Sequence, residues 1–257
     1  MNVIITMAGE GSRFSEIGIL EPKHLIQARG KTLFEWALLS LENFFDGHFI
    51  FITREHHAAA AFISEKCRAH GLKSFSIHEL DYLTKGQADT VLADEDRISD
   101  YDEEIIIYNI DTYVEPEQLQ PGFITGDGWI PAFEAEGDRW SFVKTEEDLR
   151  VVDIAEKVKI SNRGTIGLYY FKTFNLFRKL YRDHLFDHGN EHYIAPIYRG
   201  LIDDPDASVY THMIDTEKVH VLGTPEDIRQ FDPEFGRLIG NSIVPQIHAG
   251  SIRQTFI

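Results

Sequence analysis

The sequence predicts an α/β fold: a central, mostly parallel sheet flanked by helices, followed in the second half by a mixed sheet or antiparallel flap. Three observations carry that prediction. Short apolar, β-branched runs alternate with helical patterns four times through the first half, the signature of parallel strands joined by covering helices. One of these runs, residues 103–109 (EEIIIYN), holds three consecutive isoleucines, as a strand buried on both faces does. Beyond about residue 125, strand candidates follow one another with few helices between them.

Taken in order, residues 2–7 (NVIITM) read as a buried strand that breaks into the small-residue loop Ala8-Gly9-Glu10-Gly11-Ser12. Residues 32–45 carry Leu33, Trp36, Ala37, Leu41 and Phe44 at roughly helical spacing, with Gly30 just before them. Residues 48–53 (HFIFIT) read as a second strand, 58–70 as an alanine-rich helix, 74–78 as a third strand and 103–109 as a fourth. In the second half, 129–133, 140–145, 151–157 and 164–172 read as strands of a mixed sheet or antiparallel flap. Residues 174–188 and 193–202 look helical, and 208–221 hold two short strand candidates. Thr224-Pro225 opens a last helix, with Thr at the N-cap and Pro at the first helical position. Residues after Phe235 have weak periodicity and read as a tail or an oligomer contact.

Composition narrows the class. The chain has 257 residues, with 25 Lys+Arg against 42 Asp+Glu and a formal net charge of −17. At ~150 residues per domain the length allows one or two domains, and no internal repeat, low-complexity stretch or linker divides it. Binding to a nucleic-acid backbone takes clustered basic residues, so the charge excludes that partner. A single nucleotide needs only a few local donors and is not excluded. Cys67 is the one cysteine, which rules out an intrachain disulfide or a multi-cysteine zinc site. No apolar run approaches the ~20 residues that cross a bilayer, and the N-terminus opens on a strand-like segment without a signal pattern. The expectation is a cytoplasmic protein without a membrane partner.

The segment Gly9-Glu10-Gly11-Ser12-Arg13-Phe14 follows a strand, and Pro22-Lys23 begins nine residues beyond Arg13. Glycines let backbone N–H groups approach an anion closely, and Arg13 and Lys23 would add positive charge where a triphosphate develops negative charge on cleavage. Alone, this loop is equally a strand-exit turn beside surface cations. It has neither the third glycine of the dinucleotide fingerprint nor a Walker sequence.

The wider pattern is more specific. MAGEGSRF, PKHLI and GKTLFEWAL resemble the N-terminal signature of the sugar-phosphate nucleotidylyltransferase family, in which G-x-G-x-R-[FL] is followed by P-K-x-L. Later segments match in order: residues 84–92 (TKGQADTVL) are similar to its base-recognition loop and following helix, and 108–114 (YNIDTYV) to the strand end carrying a metal-binding aspartate. Glu156-Lys157, Ser161-Asn162 and 165–171 (TIGLYYF) resemble its E-K-P, S-N and T-G-hydrophobic series, and 189–202 and 222–228 its last two landmarks. The resemblance covers residues 1 to about 230. It implies a Rossmann-like nucleotidyltransferase fold in a single domain over 1–257: a central, mostly parallel mixed sheet flanked by helices with a smaller inserted acceptor-binding sheet, divided into a nucleotide-binding half (1–125), an acceptor-binding half (126–235) and a C-terminal tail (236–257).

The implied reaction joins a nucleoside monophosphate from an NTP to a small organic phosphate and releases pyrophosphate. A phosphate monoester is already a nucleophile at neutral pH, so positioning and charge neutralisation carry the catalysis. By the match, Ala8, Gly9, Gly11 and Ser12 bind the nucleotide, Arg13 grips the β/γ-phosphates and Lys23 bridges the α- and β-phosphates. Asp111 would bind Mg2+, the implied cofactor, as a single carboxylate with phosphate oxygens and water; by motif alone it also reads as a strand-ending turn cap. Gly86 and Ala88 would flank the base, with Asp81 or Gln87 reading its edge. An acidic reader can accept from the cytosine amine, which favours CTP. Glu156, Lys157 and Glu191 fall on the acceptor side, where Lys157 would pair with the acceptor's phosphate and Glu156 with a hydroxyl or amine; Glu156 and Lys157 also read as a solvated ion pair. The YNIDTYV and GKTLFEWAL segments look like the short branch used in bacterial capsule and surface-polysaccharide assembly, which includes cytidylyltransferases acting on phosphoglutamine. The acceptor is then a sugar phosphate or an amino-acid phosphate, and homo-oligomer formation is left open.

One departure stands out. The family's second metal aspartate falls at Val221, beside His220. Either Asp111 acts with water and substrate, or another carboxylate such as Asp215 substitutes, or the chain is a catalytically degenerate nucleotide-binding module. A glycosyltransferase of related topology would need a D-x-D motif, and Asp111-Thr112-Tyr113 is the nearest segment. His184, His188 and His192 recur every four residues, a zinc spacing on an unbroken helix, but Gly189-Asn190 reads as a helix stop. Trp36, Trp129 and Trp140 read as packing rather than base-stacking residues.

Overall fold

A computed structural model describes residues 1–186 and 191–235. In chain order, the first half comprises β1 (Asn2–Thr6), α1 (Ser12–Ser15), β2 (Gln27–Ala28), β3 (Lys31–Thr32), α2 (Leu33–Ser40), β4 (His48–Arg54), α3 (Ala60–Ala69), β5 (Phe75–Leu80), α4 (Gln87–Leu92), β6 (Ile105–Tyr108) and β7 (Thr112–Val114). The second half comprises β8 (Gly128–Trp129), β9 (Ala132–Glu134), β10 (Ser141–Thr145), β11 (Val151–Glu156), β12 (Arg163–Thr165) and β13 (Leu168–Phe171). These are followed by α5 (Phe174–Asp183), α6 (Arg199–Ile202), β14 (Val209–Tyr210), β15 (Met213–Ile214), β16 (Val219–Val221) and α7 (Pro225–Phe231).

A seven-stranded sheet runs β14-β8-β13-β6-β1-β4-β5, with β6, β1, β4 and β5 parallel and β13 antiparallel to both neighbours. This is the mostly parallel mixed sheet expected from sequence. Its strands alternate between two covered faces. Val3, Ile5, Phe49, Phe51, Ile106 and Tyr108 pack against Phe34, Leu38, Ile63 and Cys67 of α2 and α3. Ile4, Ile50, Ile52, Ile105 and Ile107 pack against Val91 of α4 and against Phe174 and Phe177 of α5. Covering both faces is why the strands read as unbroken apolar runs.

The smaller five-stranded sheet runs β11-β10-β12-β9-β15. Two expected strands are each split between the sheets, 129–133 into β8 and β9, and 164–172 into β12 and β13. The second split lies at Gly167, with φ +79°, where an added Cβ would stand 2.0 Å from the Asn109 amide nitrogen. The chain therefore changes sheet where only hydrogen fits. Three short strands, rather than two, occupy 208–221, and β16 pairs with β7. The segment 193–202 begins as a 3-10 turn, Ala195–Tyr198, before α6. The tail 236–257, His188 and Gly189-Asn190 lie outside the described residues. Among the described residues, no helix is long and apolar enough to cross a membrane.

Candidate active site

β1 and β6 end side by side, in parallel, at the carboxyl edge of the main sheet, the place where open α/β sheets bind ligands. The loop leaving β1 turns at Gly11, whose φ of +65° is strained for any side chain, and an added Cβ there would rest 3.7 Å from Lys23 Cβ. Phe14, buried in a cluster with Ile26, Leu33, Leu222, Ile228 and Phe231, anchors the loop from below.

Asp111 sits just beyond β6. Its Oδ2 accepts from Lys23 Nζ at 2.7 Å, both side chains being partly buried. Burial opposes ionisation of Asp111, but the Lys23 charge and hydrogen bond, helped by Arg13, outweigh it and hold the carboxyl below its ordinary value. The β16–β7 pairing and a hydrogen bond from Leu222 N to Asp111 O bring Gly223 over this pair. A Cβ on Gly223 would lie 3.4 Å from Asp111 Oδ2 and 3.8 Å from Asp227 Oδ2.

These groups line one cavity of about 820 Å3 with Ala8, Gly9, Gly11, Ser12, Arg13, Gly86, Gln87, Glu156, Lys157 and Glu191, a volume suited to a drug-sized ligand. On one wall, His192 N donates to Lys85 O and Ala88 N donates to His192 O, clamping the loop before α4. Gly86, with φ +151°, permits this: an added Cβ would meet His192 N at 2.6 Å. The amide nitrogen of Gln87 is buried without a hydrogen-bond partner. A buried unsatisfied donor at a cavity wall marks a place for a ligand acceptor.

At the opposite end, Ser141 Oγ donates to Glu156, and Tyr169 OH lies 3.3 Å from that hydroxyl. Burial pushes the Glu156 carboxyl up, against the Ser141 hydrogen bond and the Lys157 charge. Lys157, at φ +55°, donates to the Tyr193 hydroxyl and stands 4.0 Å from Glu156. Burial disfavours its ammonium, yet Tyr193 and the charges of Glu156 and Glu191 carry its pKa above that of an ordinary lysine.

Of the residues given roles by the family match, the structure brings all but Asp81 and Ala88 to this cavity. Asp81 does not line the cavity: the chain leaves β5 at Leu80 and places Asp81 in a separate surface recess with Glu10, Arg54 and Glu55. Ala88, in the first turn of α4, is fully buried, its N–H already committed to His192. Asp215 is no substitute for a carboxylate at Val221, because it caps the turn at Thr216–Lys218 by accepting from Glu217 N. Val221 itself lines the cavity.

Several lining residues had no role assigned from sequence, although His24 lies within PKHLI and Asp227 within the 222–228 segment. His24 is buried, with Nε2 unpartnered, and burial plus the neighbouring His57 hold its pKa down to about 4. Asp138, Arg139, Trp140 and Asp227 also face the cavity. Trp140 is a lining residue, whereas Trp129 is buried and Trp36 donates to Ala28 O while packing on Tyr113 and Phe231. His192 Nδ1 lies 2.9 Å from Tyr181 OH and its ring stacks on Phe186. Among the described residues, no group of three His, Cys, Asp or Glu side chains is arranged to hold a metal.

The donor set therefore suits a hard cation only in one manner. Asp111 offers a single carboxylate, and Asp227 has both oxygens engaged by Arg139 and Thr224. Mg2+, which keeps several waters and takes one or two carboxylates plus phosphate oxygens, fits as an ion arriving with a nucleotide.

No family model and no curated protein matches the chain. Solved structures do. The nucleoside-diphosphate-sugar pyrophosphorylase from Vibrio cholerae RC9 is 34% identical, with 90% of this chain and 99% of that one aligned at a TM-score of 0.82. The inositol-1-phosphate CTP transferase from T. maritima is 15% identical over 88% of this chain and 90% of its own, at a TM-score of 0.70. A UDP-glucose pyrophosphorylase complexed with UDP-glucose is 16% identical over 92% and 98%, at 0.72. The last two similarities speak for the fold.

Proposed function

The chain belongs to the nucleotidyltransferase family of the Vibrio cholerae nucleoside-diphosphate-sugar pyrophosphorylase, and on that premise we propose that it transfers a nucleoside monophosphate from an NTP to a small phosphate monoester, releasing pyrophosphate. The observation that carries this reading is the Lys23–Asp111 pair, 2.7 Å apart, in a cavity that the glycine loop and Glu156-Lys157 also line.

An oxygen of the acceptor phosphate forms the new bond to the α-phosphorus; the bond from that phosphorus to the bridging oxygen breaks, and its electron pair leaves with pyrophosphate. Gly9, Gly11 and Ser12 cradle the triphosphate, Arg13 neutralises the departing pyrophosphate, and Lys23 neutralises the charge building between the α- and β-phosphates. Asp111 orients Lys23 and would hold Mg2+, which supplies further neutralisation of the phosphates when bound. Lys157 binds the acceptor, and Glu156, its carboxyl raised by burial, accepts or shares a proton with an acceptor hydroxyl or amine. Glu191 belongs to the same end.

Gln87, with its unpartnered amide nitrogen, reads the base edge in place of Asp81. Cytosine, uracil, thymine and guanine all offer the carbonyl this donor requires, so the preference among them rests on the resemblance of YNIDTYV and GKTLFEWAL to the cytidylyltransferase-containing branch. CTP is the favoured nucleotide, and a sugar phosphate or an amino-acid phosphate such as phosphoglutamine is the favoured acceptor, in the making of an activated precursor for a surface polysaccharide. The test is pyrophosphate release from each NTP against a panel of sugar and amino-acid phosphates with Mg2+. Release with CTP and one acceptor class is expected. The apolar residue at Val221 favours one second reading, a binder that has lost its chemistry. Tight NTP binding without pyrophosphate release from any pair would select it.

A further inference from the structure

Arg139 is a cation in this cavity that neither the motifs nor the proposed reaction uses. It lies in the loop between β9 and β10 and grips Asp227 with both arms, Nη2 to Oδ1 at 2.7 Å and Nη1 to Oδ2 at 3.1 Å. Its guanidinium carbon stands 4.5 Å from the centroid of the Trp140 ring. Asp227 is 8% exposed, and its Oδ2 also accepts from Thr224 Oγ1 at 2.7 Å. The fork and the indole face together fix the guanidinium plane. Half of the Arg139 side chain stays exposed. An arginine has five N–H donors, so this clamp leaves others for a ligand.

Its place between the two ends of the cavity is the decisive point. On one side, Trp140 O accepts from Lys157 N at 2.9 Å, and Ser141 bonds Glu156, so Arg139 leads directly into the Glu156-Lys157 end. On the other side, its partner Asp227 meets Asp111 across Gly223. A phosphate monoester attacking an α-phosphate beside Lys23 and Asp111 must bring its own charge to this junction. Val221, paired with Thr112 beside Asp111, offers no carboxylate there, and Arg139 supplies a cation to the same cavity.

We propose that Arg139 binds the phosphate of the acceptor, and that Asp227 is a positioning residue that aims Arg139 instead of ligating a metal. This rests on the transfer reading for the identity of the anion, but not for its binding. The probe is inorganic phosphate, titrated against the full chain by tryptophan fluorescence, since Trp140 lies against the guanidinium. Arg139→Ala should weaken phosphate binding about tenfold or more. Arg139→Lys, which keeps charge and stem but loses the fork, should be intermediate and carries the test if the alanine variant melts early. Lys172→Ala, which removes an exposed cation paired with Asp127 outside the cavity, should leave this fluorescence response in place. Asp227→Asn should weaken phosphate several-fold, add nothing to Arg139→Ala in the double variant, and leave Mn2+ affinity, read by EPR, unchanged.

Unaltered phosphate binding in Arg139→Ala and Arg139→Lys overturns the proposal. So does a tenfold loss of Mn2+ affinity in Asp227→Asn together with a gain in Arg139→Ala, which would make Asp227 a metal ligand masked by Arg139. If phosphate binding follows Arg139 while no NTP and acceptor pair releases pyrophosphate, the anion site stands and the transfer reading falls.

Discussion

Lys23 and Asp111 make the most consequential contact between two side chains, and its effects are separable. As a partly buried ion pair it contributes about 1 kcal/mol to stability, small beside the two sheet cores. In the proposed reaction the same ammonium faces charge that grows only in the transition state, where losing one such group typically costs ~10²–10³ in turnover. Lys23→Ala is therefore expected to cut kcat by about two orders of magnitude while shifting Tm by only a few degrees, checked by pyrophosphate release beside thermal melting. Near-normal turnover would remove Lys23 from the reaction. The pair spans 88 residues of sequence, and no periodicity links its members; each was legible only through its own motif, P-K-x-L and the strand-end aspartate. Arg139 and His24 show the other limit. Arg139 is held by Asp227, again 88 residues away, and an isolated arginine before a tryptophan carries no local signal of what it will face.

At the scale of elements, α2 shows how local chemistry and a distant partner combine. Thr32 caps the helix by accepting from Glu35 N, and Glu35 returns the bond to Thr32 N, a capping box. Lys66 and His70, at the far end of α3, then reach the same carboxylate at 3.2 and 3.1 Å. Burial alone would raise the Glu35 carboxyl, but the Thr32, His70 and Lys66 hydrogen bonds bring it down to about 2 from an ordinary 4.5. A depressed carboxyl stabilises the fold above its unfolded pKa and loses that contribution as pH falls through the folded value. Glu35→Gln should thus cost about 3 kcal/mol at pH 7, with the deficit roughly halved by pH 3, as urea unfolding at the two pH values would show. An equal deficit at both would mean that the charge plays no part. The Thr224-Pro225 helix start is a short-range feature and legible as such. The exchange of strands between sheets at Gly167 is not, because the pressure that demands glycine comes from Asn109, which no local pattern brings near.

For the whole molecule, the net charge of −17 and the cavity cations act at different ranges. Lys23 is already paired with Asp111, Arg139 with Asp227, and Lys157 lies between Glu156 and Tyr193, so the positive charge on offer is compensated within a few ångströms. Beyond roughly one Debye length, ~10 Å at 0.1 M salt, a nucleotide meets the field of an acidic body. That field repels a free triphosphate more than a triphosphate carrying Mg2+, and salt screens the repulsion before it weakens contacts inside the cavity. The association rate of free NTP should therefore rise as ionic strength is increased from about 0.02 to 0.2 M, and the magnesium complex should associate faster with a shallower dependence. Stopped-flow tryptophan fluorescence with and without Mg2+ measures both slopes. A rate that falls with salt in both conditions would mean that a local funnel of Arg13, Lys85 and Arg139 governs approach, and that the acidic exterior has no influence on how substrate arrives.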